Sequence, residues 1–479
     1  MKNYIYLLIY FLSLTSFSQT LVSSIPLEMK KNRDVFQIVN ESRKEVTLFL
    51  SDKTSINAVR LDDKIQIIDS LSTTRPEKKY SEMIGFVSIG EKGSNPKIFW
   101  STGNRKELFV QNFNFENHKV DYQNYTLALK KEELVQEFTA NKKFYIMTIV
   151  KKTNDVKLYV FDSNGSMEEK TLNFDSIKFF TNNYSPVNFY EILDMNLLPF
   201  ESAKVQKIIP GNPISLTESA KKRKLYIQDK EITFTIDTNV DYTQLISINL
   251  ETYVVNSKTF RKAYIKTEER YLLNSNSFLI DDKLFQLKTS SSEMFLNIKD
   301  MNDATLNEFY VAQDKSIDFK NTDVIQEVGD FTNKRVLEKS SQFLRKVNNS
   351  NSGISCYKMN DNYIVTVGSV SKDYNNNSMM YGAMFGAAGV IVAAAIFNPT
   401  YDSFNSYANR KVIYTNGLFD LNANHLSGEI KPFAFDNIRT FLDNNKSLNS
   451  KTLFKLNNAY YLGYYDSIDK KYSFRKFQD

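Results

Sequence analysis

Residues 138–174 read FTANKKFYIMTIVKKTNDVKLYVFDSNGSMEEKTLNF. Lys143–Val150 is apolar and rich in the aromatic and β-branched residues that suit a pleated, half-buried surface. Residues 151–155 are polar and turn-forming, Lys157–Phe161 is a second strand, and Asp162-Ser163-Asn164-Gly165 turns the chain again. Strand alternation sends Phe144, Ile146 and Thr148 to one face and Tyr145, Met147 and Ile149 to the other. Both faces are therefore apolar. A lone hairpin of this kind is marginal in water, so the unit predicts a sheet covered on both sides by sibling sheets.

Stacked sheets in a sandwich, or sheets arranged radially, satisfy that demand. A parallel sheet flanked by helices would satisfy it too, but the long amphipathic helices required between strands are mostly missing. The expectation is an all-β fold. Helical stretches are confined to Leu127–Phe138 (the clearest), Val187–Leu198, Val336–Val347 and Phe435–Leu442. Strand-pair units recur from about Leu48, Lys97, Lys143, Leu225, Ser277, Cys356 and Thr452, with Asp62-Asp63, Asp281-Asp282 and Asn360-Asp361 as turns. Their spacing of roughly fifty to ninety residues accommodates four-stranded blades with some long connections. Residues 182–213, with Pro186, Pro199, Pro210 and Pro213, are the softer stretch, read as a boundary or a long connection between blades.

Across Val35–Phe477 the strand-and-turn pattern resembles the degenerate β-propeller repeats of secreted bacterial proteins. No Trp-Asp dipeptide, kelch glycine pair or Asp-box accompanies it. The resemblance implies one propeller over residues 19–479, of about seven blades, with six and eight as neighbouring counts. Closure by the two termini would pair Val35–Leu50 with Ala459–Phe477.

Composition agrees with a large β-domain. The chain has 479 residues, with 36 Phe and 28 Tyr against a single Trp. Its 61 basic and 55 acidic residues are interspersed, and the net charge of +6 lacks the concentrated basic face that nucleic acid requires. Cys356 is the sole cysteine, so no disulfide forms within the chain, and its strand context reads as a buried structural thiol. His118 and His425 stand far apart in polar surroundings, which argues against a metal site or a Ser-His-Asp triad. Residues 1–18 read as a secretory signal peptide: Lys2, an apolar core, then Ser16 and Ser18 before the cleavage point. A leader ending Phe-Ser-Gln on a Lys-, Asn- and Tyr-rich chain resembles secreted proteins of Bacteroidetes-type bacteria. This implies a periplasmic, outer-membrane-associated or extracellular location.

One stretch departs from the pattern. Within residues 375–410, the run from Met379 to Phe397 is uncharged and almost wholly apolar, rich in Gly and Ala, between strands Tyr363–Val370 and Lys411–Thr415. Three readings are open. It packs against the β-domain or its central channel, it docks onto an envelope protein or an oligomer mate, or it dips shallowly into a bilayer, with Tyr401, Phe404 and Tyr407 at the interface or in the core. A full span would put adjacent strands of one domain on opposite sides of the membrane. The contact residues would be Met379, Met380, Tyr381, Met384, Phe385, Val390, Ile391, Val392, Ile396 and Phe397.

No catalytic residue, cofactor site or metal site is identified. The pairs Asp62-Asp63, Asp281-Asp282 and Glu132-Glu133 read as turn or solvated-face residues, and Asp162–Gly165 as a plain turn without the downstream Glu of a calcium loop. The chain carries no Gly-x-Ser-x-Gly, Walker or His-Glu-x-x-His motif. The expected function is a non-enzymatic binding or scaffold protein of the bacterial envelope that contacts a partner through 379–397. The rival class is a secreted hydrolase of glycans or peptides, with carboxylates converging at the propeller centre.

Overall fold

A computed structural model describes residues 19–26, 34–52, 54–87, 95–195, 205–267, 269–328, 334–371, 398–408 and 411–479. The fold is a seven-bladed β-propeller. Blade 1 comprises Asp34–Asn40, Glu45–Ser51, Ser55–Leu61 and Ile67–Thr74, each strand antiparallel to the next. Blade 2 runs from Glu82–Val87 to Lys119–Thr126, blade 3 from Glu132–Ala140 to Met167–Asn173, and blade 5 from Asn274–Ile280 to Thr305–Ala312, in the same meander. Blade 4 spans Arg223–Ile227 to Val255–Arg261 and gains a short strand, Gln206–Ile208, parallel to its first.

Blade 6 departs from the meander. Its strands Asn351–Met359, Asn362–Val370 and Lys411–Asp420 are completed on the outside by Val324–Val328 and Lys334–Leu337, which precede them in the chain. Blade 7 is Asn449–Leu456, Ala459–Asp466 and Lys471–Phe477, with Gln19–Pro26 as its outermost strand. The ring therefore closes through both ends of the chain, but with a different strand from the one expected. Val35–Leu50 belongs to blade 1, and Gln19–Pro26 pairs with Lys471–Phe477. The reason lies in burial: Glu45–Ser51 is wholly buried and fits an interior strand, whereas Gln19–Pro26 is half exposed and fits an edge.

The core consists of the layers between blades. Phe144 and Ile146 meet Ile84, Phe99 and Val110 of blade 2, while Tyr145, Met147 and Ile149 meet Leu225, Ile232 and Phe234 of blade 4. This is the two-faced burial that alternation in 143–150 requires. Equivalent layers join blades 1 and 2 around Phe49 and Trp100, and blades 7 and 1 around Leu48 and Phe474.

The segment 127–138 is corrected from helix to strand. Glu132–Ala140 pairs with Lys143–Val150 across Asn141-Lys142, whose φ values of 47° and 56° build a tight hairpin turn. Its apolar residues fit helical spacing only loosely, and the apolar strand beside it supplies a better partner. Phe138 stacks on Tyr145 with centroids 4.9 Å apart. In consequence Glu132 is not on a solvated face. Its carboxylate is buried, accepts from Thr148 Oγ1 (2.7 Å) and Tyr159 OH (3.0 Å), and pairs with Lys157. The other three helical stretches do form helices, within Phe189–Asp194, Ser340–Asn348 and Ala434–Asn444. A further helix, Pro399–Ala408, buries Tyr401, Phe404 and Tyr407 against Phe433 and Phe435, so these rings belong to the core.

Candidate functional site

Every first-to-second-strand turn of a propeller falls on the same face of the ring. On that face the turns of blades 4 to 7 surround a pocket of about 660 Å³, within the size range of small-molecule sites. Gln228, Asp281, Asn360 and Asn458 come from those four turns. Ile208, Ile214, Tyr226, Phe278, Cys356 and Met359 supply apolar patches of the wall between polar residues. On the axial side the pocket is closed by the segment between Ile208 and Ile214. That segment leaves blade 4 and reaches blade 7, where the Gly211 carbonyl accepts from Lys455 Nζ (2.9 Å) and Tyr460 OH (3.0 Å). It forms a chord across the central opening and fences off the sector of blades 5 and 6.

The charged groups of the pocket are engaged with protein. Asp281 Oδ2 accepts from Tyr363 OH (2.6 Å) and from Lys358 Nζ (3.0 Å). Asp479 accepts from Tyr357 OH and from the Ala434 amide (2.6 Å). Lys455 donates to Gly211 and lies 5.2 Å from the centre of the Tyr460 ring, and burial pushes its pKa down. Burial raises the Cys356 thiol well above its ordinary value and keeps it protonated, the state of a structural and not a nucleophilic cysteine. Among the described residues the lining contains no histidine, and Asp281 and Asp479 are its only carboxylate side chains.

A second group of titratable residues lies outside the pocket lining. Glu218, in the short helix Leu216–Ser219, accepts from Ser215 and from Ser403 Oγ (3.4 Å) of helix Pro399–Ala408. Burial first, and the Asp402 carboxylate second, push Glu218 up to about 8. Asp402 is raised by burial and opposed by Lys207, whose own pKa burial lowers. Asp402 itself keeps exposed surface. Ser215 and Ser406 hydroxyls, 2.6 Å apart, tie the two helices together beside it. None of these residues lines the pocket.

The contact residues expected from sequence, Met379, Met380, Tyr381, Met384, Phe385, Val390, Ile391, Val392, Ile396 and Phe397, lie outside the described residues. The flanks of that stretch are placed. The chain leaves blade 6 after Val370, which pairs with Asn351 at the end of the inner strand away from the pocket. It returns at Asn398, a buried residue that donates to the Val35 carbonyl (3.3 Å) and accepts from Leu453 N (3.1 Å). His118 and His425 occupy blades 2 and 6, with His425 Nε2 3.0 Å from Asn321 Oδ1. Asp162 Oδ1 accepts from the amides of Asn164 and Ser166, and Gly165 has φ 93°, so Asp162–Gly165 is a turn.

In the sequence Asp281, Asn360 and Cys356 read as turn or strand residues, and no local pattern brings them together. One signal was available: in a propeller the first turns of all blades share one face, so turn residues far apart in sequence become neighbours.

No family model matches the chain, and no curated protein matches it in sequence. Among solved structures it is similar to the WD40 domain of SCAP from fission yeast, at 8% identity over 96% of this chain and 97% of that one, with a TM-score of 0.32. It is also similar to the Nup133 β-propeller domain of Vanderwaltozyma polyspora, at 11% identity over 96% and 97%, with a TM-score of 0.34. A third is an oligogalacturonate lyase in complex with manganese, at 8% identity over 96% and 97%, with a TM-score of 0.35. The strand order described above makes the chain a β-propeller, and at these identities the likeness extends no further than fold.

Proposed function

We propose that this propeller is a non-enzymatic binding protein of the bacterial envelope, exported by residues 1–18, which holds a small ligand in the pocket of blades 4 to 7. The observation that carries this reading is the state of the pocket's reactive groups. Each carboxylate is neutralised or hydrogen-bonded by a neighbour, and the thiol is buried and protonated. Such a site recognises shape and hydrogen bonding and offers no poised nucleophile or general base. Filling it with Met359→Trp should abolish co-purification of a small molecule with the native protein while leaving the circular dichroism spectrum unchanged. Retention of the same molecule by the variant would contradict the reading.

The stretch 379–397 supplies the proposed contact with a second envelope protein or an oligomer mate. Its leading flank leaves blade 6 at the strand end away from the pocket. Deleting Met379–Phe397 should remove a co-purifying partner or membrane association without unfolding the chain. If partners and fractionation are unchanged, this stretch is not the contact.

The hydrolase reading keeps one supporting observation, the Glu218–Asp402 pair with its raised pKa at Glu218. Paired carboxyls with separated pKa values are the equipment of glycosidases. Here Glu218 also closes the capping box of its helix and bonds Ser403, which is a structural use for the same carboxyl. Hydrolysis of a glycan or peptide substrate, lost in Glu218→Gln with fold intact, would establish the enzyme class.

A further inference from the structure

The reading of the pocket as a binding site leaves its ligand unspecified, and the inference here rests on that reading. Its rim carries four neutral amide side chains, Gln228, Asn360, Asn458 and Gln478, and none of them makes a side-chain hydrogen bond with another described residue. Each offers two donors and one acceptor oxygen. The ionic groups already hold hydrogen bonds: Lys358 donates to Asp281, Asp479 accepts from Tyr357 and Ala434 N, and Lys455 donates to the Gly211 carbonyl. A charged ligand would have to share these bonded groups, whereas the four amides are open to a neutral one. Below the amides Ile208, Ile214 and Phe278 give the wall an apolar patch.

A neutral molecule is therefore favoured, compact enough for about 660 Å³, with hydroxyls that both donate and accept around an apolar carbon face. From the free amides, the already bonded charges and the apolar patches of the wall, we infer that the pocket binds an uncharged mono- or disaccharide. Amide side chains pair with adjacent sugar hydroxyls as donor and acceptor together, and the C–H face of the ring covers the apolar wall. An extended peptide would instead need an open sheet edge to lie along, which this enclosed space between four blades does not present.

The test is isothermal titration of the full chain with glucose, galactose, mannose, N-acetylglucosamine and cellobiose, with indole and p-cresol as apolar probes of similar bulk. The expected result is 1:1 binding of at least one saccharide. Gln228→Ala and Gln478→Ala should each weaken it roughly 5- to 10-fold, the value of one lost hydrogen bond, and Met359→Trp should remove it. Unchanged melting temperatures would show that the variants fold. Saccharide binding that survives Met359→Trp, or that is indifferent to both glutamines, overturns the inference. Binding of indole or p-cresol alone, lost in Met359→Trp, overturns the saccharide class but keeps the pocket as a site. Binding of none of the probes overturns the saccharide class as well, and the co-purification experiment then decides the pocket by itself.

Discussion

Asp237 sits between Lys224 and Lys262, at 3.3 and 2.9 Å, and none of the three side chains reaches solvent. Thr243 and Ser277 hydroxyls complete the shell of its carboxylate, and Asn276 and backbone carbonyls hold the two ammonium groups at the junction of blades 4 and 5. Removing the carboxylate would leave two buried cations facing each other. Asp237→Asn is predicted to destabilise the fold by roughly 3–5 kcal/mol in urea unfolding, and an unchanged midpoint would show the network to be dispensable. Glu218 makes the opposite kind of prediction. Its folded pKa of about 8 lies above the ordinary 4.5. The folded state then holds a proton that the unfolded state has released, so stability is complete below the ordinary value and falls as pH rises through 8. Asp402, also raised, acts with the same sign. The melting temperature should decline from pH 5 to pH 9, and Glu218→Gln should flatten that decline. A wild-type curve as flat as the variant's would count against the assignment. Nothing in the sequence marked these residues. Asp237 and Glu218 stand in ordinary polar contexts, and their partners include Lys262 and Ser403, 25 and 185 residues away.

At the scale of the element, the sequence was most readable where one period dominated. Strand 143–150 alternates without interruption, and its two faces separate into the two inter-blade layers. The turns at Asp62-Asp63, Asp281-Asp282 and Asn360-Asp361 were legible because Asn and Asp bond their own backbone and tolerate positive φ, as Asp281 (49°) and Asn360 (55°) do. Residues 127–138 were misread because Leu127, Leu129, Leu134 and Phe138 fit no period well. The deciding factor was the neighbouring apolar strand, a tertiary influence that local spacing does not contain. The outer hairpin of blade 6 was missed for a related reason, since Val324–Val328 finds its partner, Lys411–Asp420, more than eighty residues later. Gly85 tests the packing between these elements. A Cβ there would lie 2.0 Å from the Phe144 ring, which is held in the layer between blades 2 and 3. Gly85→Ala should cost roughly 1–3 kcal/mol by overpacking, read as a lower urea midpoint. A neutral result would mean the two blades lie further apart than described.

Over the whole molecule, a ring of blades is stable only when the last sheet meets the first. Gln19–Pro26 completes blade 7, with the Ser24 and Ser473 hydroxyls 2.7 Å apart across the joint. Pairing residues some 450 positions apart places closure among the most non-local contacts of the chain, and such contacts form slowly. Deleting 19–26 would bare the edge of Lys471–Phe477, a strand with buried Tyr472, Phe474 and Phe477. The truncated chain should melt several degrees lower and aggregate on heating, whereas an unchanged melt would show the seam to be ornamental. The radial plan and the number of blades were legible from recurring two-faced hairpins. The chord from Ile208 to Ile214 was not, because its role depends on spanning blades that only the closed ring brings together.

On the proposed function this propeller holds a ligand in the sector of blades 4 to 7 and leaves it chemically intact. Native mass spectrometry of the full chain, incubated with the saccharide panel, addresses both parts at once. The prediction is a 1:1 adduct carrying the unaltered mass of one saccharide, absent from Met359→Trp. A spectrum without an adduct, or one in which cellobiose is converted to glucose, would contradict it.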